Sequence, residues 1–137
     1  MKMIKPGIGV DQFTLGISIE ELLRLIDEEY EKSELADYII LKFKYYKFWI
    51  HQISETVTQI LVSGQYPGKL HGKIGIGNTM QDVDELIGKY VQDDYVYIIP
   101  DLPGVCFELK DVEDSEEEWN NTTAPIEKIT VYTAEEV

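Results

Sequence analysis

Leu15-Gly16-Ile17-Ser18-Ile19-Glu20-Glu21-Leu22 recurs in the second half of the chain as Ile76-Gly77-Asn78-Thr79-Met80-Gln81-Asp82-Val83. Both stretches read apolar, Gly, any residue, Ser or Thr, any residue, polar, acidic, aliphatic. The match runs on, with Leu25-Ile26 aligned to Leu86-Ile87. An internal repeat constrains the architecture before any single element is read.

The shared letters have a physical reason. Ser18 and Thr79 stand where a helix N-cap belongs, and Glu21 and Asp82 fall at the third helical position, so each segment resembles a capping box. Leu22, Leu25 and Ile26, like Val83, Leu86 and Ile87, then form a narrow apolar stripe at helical spacing. Gly88 suits a C-terminal cap for the second helix. The first helix is expected to run on through Glu28 and Tyr30, with Asp27-Glu28-Glu29 on its outer face.

Strand-like sequence follows each helix. In the first half it is Tyr38 to Phe43, Tyr46 to His51, and Thr56 to Val62. In the second half it is Tyr95 to Ile99, Val105 to Leu109, and Ile126 to Tyr132. These runs are rich in aromatic and β-branched residues and are separated by turn chemistry such as Ser63-Gly64 and Pro100-Asp101-Leu102-Pro103-Gly104. The closing strands also match, with Val57, Ile60 and Val62 answering Ile126, Ile129 and Val131. The expectation is an α+β fold of one domain, 1–137. It consists of two tandem units, 8–64 and 72–132, each a helix followed by a three-stranded antiparallel meander. The helices would pack on one face of antiparallel sheet, since alternating strand-helix-strand units are missing. One continuous sheet and two adjacent ones fit equally.

A Gly-x-Ser/Thr-x-x-acidic-aliphatic helix start followed by a meander, repeated once, resembles the beta-lactamase-inhibitor-protein-like fold. Single units of this kind occur in the SmpA/OmlA type of outer-membrane-assembly lipoproteins. The resemblance spans about residues 8 to 132. It implies a domain that binds other proteins through its sheet face and loops, with no enzymatic activity. This chain departs in having one cysteine instead of cysteine pairs, and in having no lipobox. More loosely, a short acidic chain with Pro6-Gly7-Ile8-Gly9 near its start is similar to the immunity proteins of bacterial polymorphic toxins. Such proteins block a toxin domain that is often basic.

Charge points the same way. Twelve Lys and Arg face twenty-six Asp and Glu, a net charge of −14. A field of that sign repels nucleic-acid phosphates and anionic membrane surfaces, and it steers in a basic protein partner. Met1-Lys2-Met3-Ile4-Lys5-Pro6-Gly7 has no apolar stretch of signal-peptide type, so a cytoplasmic location is expected. Asn120-Asn121-Thr122 is then a polar turn and not a glycosylation site.

Catalytic chemistry is hard to place. Cys106, in Gly104-Val105-Cys106-Phe107, reads as a buried thiol. His51 and His71 have no metal-ligand spacing, and no second cysteine joins them. Gly72-Lys73-Ile74-Gly75-Ile76-Gly77 lacks phosphate-loop spacing and reads as turn geometry. No cofactor, metal or enzymatic activity is expected. Two surfaces remain as candidates for partner binding. One is the aromatic pair Tyr45 and Trp49, sent by alternation to the face opposite Tyr46 and Phe48. The other is the acidic run Asp111, Glu113, Asp114, Glu116, Glu117 and Glu118 with Trp119 as an anchor. Calcium is disfavoured there by the order of ligands.

The function these features suggest is a cytosolic acidic protein-binding module. An immunity or inhibitor-type protein that neutralises a basic partner fits best. A structural or housekeeping domain acting as a homodimer and a small-molecule-binding domain are the alternatives.

Overall fold

The structure is a computed structural model that describes residues 2–110 and 123–133. Three short strands come first: β1 Met3–Lys5, β2 Gly9–Val10 and β3 Phe13–Thr14. Helix α1, Ile19–Leu25, leads to β4 Glu31–Leu35, β5 Tyr38–Phe43, β6 Tyr46–His51, β7 Val57–Ser63 and β8 Lys69–Leu70. Helix α2, Met80–Leu86, leads to β9 Val91–Asp93, β10 Val96–Ile98, β11 Val105–Leu109 and β12 Ile126–Tyr132.

These strands form two sheets. The larger has eight strands in the order β4-β5-β6-β7-β12-β11-β10-β9, antiparallel throughout. The smaller has four, β3-β2-β1-β8, with β1 and β8 parallel. The expected α+β fold, two helix-plus-meander units with helices packed on one face of the sheet, is therefore corrected. The chain is mostly β, with 45% strand against 12% helix.

The physical reason lies in the helices. Both start where the sequence places them. The Glu21 N–H donates to the Ser18 side chain. At α2 the Asp82 N–H donates to Thr79 while the Asp82 carboxylate accepts from the Thr79 N–H, a complete capping box. Each helix then stops after seven residues. In α1, Asp27, Glu28 and Glu29 would continue the helix into the negative end of its dipole, where carboxylates are unfavourable. The chain leaves helical geometry at Ile26 instead, and Glu31–Leu35 pairs with β5. Seven residues bury little: Leu22 and Val83 are fully inside, but Leu25 is 41% exposed and Leu86 47%.

The small sheet helps to cover the core in their place. Phe13, fully buried, meets Tyr46 and Phe48 edge-on at centroid distances of 5.0 and 4.9 Å. Such pairs contribute about 0.5–1.5 kcal/mol each beyond burial. Ile4, Val10 and Leu70 from the same sheet belong to this cluster. Opposite them lie alternate residues of the large sheet: Leu41 and Phe43, Tyr46 and Phe48, Ile60 and Val62, Ile129 and Val131. A tight contact pins the N-terminal loop. Gly104, at φ 95°, accepts a hydrogen bond from the Gly7 N–H at 3.1 Å, and a Cβ there would lie 2.4 Å from that nitrogen.

Candidate functional site

The register of the large sheet assigns one face to the core and leaves another open. Pairing of Lys42 with Lys47, Lys47 with Leu61, Leu61 with Thr130, Thr130 with Cys106 and Cys106 with Ile98 draws a row across six strands. A second row runs Ile40, Trp49, Gln59, Tyr132. Side chains alternate along a strand, so these rows point away from Phe48 and Ile60. The surface they form bounds a shallow concavity of about 540 Å³, with Trp49, Leu61, Tyr95, Ile98, Cys106 and Tyr132 among its walls.

Trp49 is held in place from several sides. Its backbone carbonyl accepts a hydrogen bond from Thr58 Oγ1 at 3.1 Å. Tyr38 meets its ring edge-on at 5.9 Å. The Lys47 ammonium lies 4.9 Å from the ring centroid, within cation–π range. A half-exposed indole fixed in this way loses little side-chain freedom when something docks on it.

The structure separates the residues that the sequence grouped. Trp49 lies on the open face. Tyr45 sits in the β5–β6 turn and packs against Tyr46 and Tyr66 at 4.9 and 5.3 Å, towards the small sheet. Asp111, Glu113, Asp114, Glu116, Glu117, Glu118 and Trp119 lie outside the described residues. Their segment joins β11 to β12, and it is flanked by a hydrogen bond from the Lys110 N–H to the Pro125 carbonyl at 2.9 Å.

Cys106 opens onto the concavity. Burial, reinforced by the neighbouring Glu108 charge, pushes its thiol up to about 11. At neutral pH it is a thiol and not a thiolate, which makes it a poor nucleophile. His51 accepts a hydrogen bond from the Ile53 N–H through Nδ1 in the β6–β7 turn. Gly77 and Gly16, at φ 96° and 88°, each donate an N–H to a closing strand, to Ile126 and Val57 respectively. Among the described residues no three His, Cys, Asp or Glu stand together as a metal site.

A polar knot that sequence reading missed lies on the other side of β6. Asp11, at φ 55°, is buried, with its carboxylate side chain only 2% exposed. The carboxylate accepts hydrogen bonds from the Tyr46 hydroxyl, from Tyr66 at 2.8 Å and from the Met3 N–H at 2.6 Å. The Lys2 ammonium is 3.7 Å away. A buried carboxylate needs such a shell, because an unpaired one would be expelled by desolvation. Burial and the Asp11 carboxylate together raise both tyrosine hydroxyls well above the ordinary phenol range. The knot ties Asp11, between β2 and β3 of the small sheet, to Tyr46 on β6 of the large one, and so acts as a fastening between the two sheets. The sequence signal was faint, one Asp beside Gln12 in the stretch Ile8 to Phe13.

Among the described residues no helix is long and apolar enough to cross a membrane. No family model matches the chain, and no curated protein matches it. One solved structure is similar, that of the uncharacterized protein yfeY from Escherichia coli. It has a TM-score of 0.62 at 11% identity, over 96% of this chain and 99% of that one. At that identity the likeness is one of fold alone, extending over nearly the whole of both chains.

Proposed function

We propose that this chain is a cytoplasmic protein-binding module, not an enzyme, and that its partner docks on the open face of the eight-stranded sheet. The observation that carries the reading is the placement of Trp49. It is half-exposed on the outward face, braced by Tyr38, Lys47 and Thr58, at the wall of a broad concavity. Aromatic anchors of this kind supply much of the binding energy in protein interfaces. The concavity is wide and shallow, which suits a protein surface better than a small molecule.

The net charge of −14 supplies the other half of the reading. It raises the encounter rate with a basic partner over distances set by the ionic strength. An immunity or inhibitor-type role, in which the acidic chain neutralises a basic protein, combines the two features. The charge governs the approach, and the aromatic face governs residence.

Pull-down from a cognate lysate with wild-type protein and with Trp49→Ala tests this at low and high salt. A basic protein should be captured by wild type, with capture falling as salt rises and falling further with Trp49→Ala. Capture that ignores both salt and the substitution would sink the reading.

A further inference from the structure

We draw no further inference here: the strongest candidate, the open face of the eight-stranded sheet around Trp49, belongs to the site already described, and nothing in the structure shows what covers it.

Discussion

The two faces of β6 carry the same kind of residue and do opposite work. Tyr46, Phe48 and Ile50 point one way and are buried; Lys47, Trp49 and His51 point the other way and are half-exposed. The inward aromatics interlock with Phe13 and Phe43. The outward indole meets Tyr38, a lysine and solvent. Alternation separates two faces of a strand without telling which of them is core. What decides is a second layer, and here that layer is the small sheet built from residues 3–14 and 69–70.

The largest effect should come from breaking the inward face. Phe48→Ala removes a fully buried ring that touches Phe13, Phe43 and Tyr46. Lost transfer energy and the cavity left behind should destabilise the fold by about 3–5 kcal/mol. Urea denaturation of wild type and variant reads this directly. A loss of less than about 1 kcal/mol would mean that the small sheet does not close on β6 as described.

Next comes the knot that fastens the two layers. Asp11→Asn keeps the shape and the tolerance for left-handed backbone but removes the charge that two tyrosine hydroxyls share. Hydrogen bonds to charged groups contribute about 1.5–3 kcal/mol, so a loss of about 2 kcal/mol is expected in the same titration. The fastening also has a pH signature. Tyr46 and Tyr66 hold their protons more tightly when folded than when unfolded. Their contribution is complete below pH about 10, where unfolded phenols stay protonated, and it falls away as pH rises beyond that value. Thermal melts in alkaline buffers should therefore show steep destabilisation in the wild type and a shallower slope in Tyr66→Phe. Equal slopes would remove Tyr66 from the linkage.

What the sequence made legible follows from the same physics. The strands Tyr38–Phe43, Tyr46–His51 and Ile126–Tyr132 were readable because aromatic and β-branched residues alternate over six or seven positions. The caps at Ser18 and Thr79 were readable because their hydrogen bonds are local. The hairpin β4–β5 was not. Glu31–Leu35 is exposed throughout and charged like a helix surface. Its turn begins with Ala36 at φ 53° in place of the Gly or Asn that advertises such a bend. Lys44 and Asp94 start the β5–β6 and β9–β10 turns in the same left-handed way. The N-terminal strands are two or three residues long, too short for any period to appear. Trp49 could be singled out from composition and alternation. The row that joins Trp49 to Gln59 and Tyr132 could not, because it exists only once β7 pairs with β12.

The outward face should yield the smallest effect on stability, and that is the sharpest check on the comparison. Trp49→Ala removes a ring as large as any on the inward side, yet its neighbours there are a lysine and the edge of Tyr38. An exposed cation–π contact contributes about 0.5–1 kcal/mol. An edge-on aromatic pair contributes a similar amount. The substitution leaves no sealed cavity, so the cavity term that makes Phe48→Ala severe is absent. Stability should fall by about 1 kcal/mol, while partner capture should fall far more. If Trp49→Ala instead unfolds the chain as readily as Phe48→Ala, the second face is also core, and the case for an interface on it is lost.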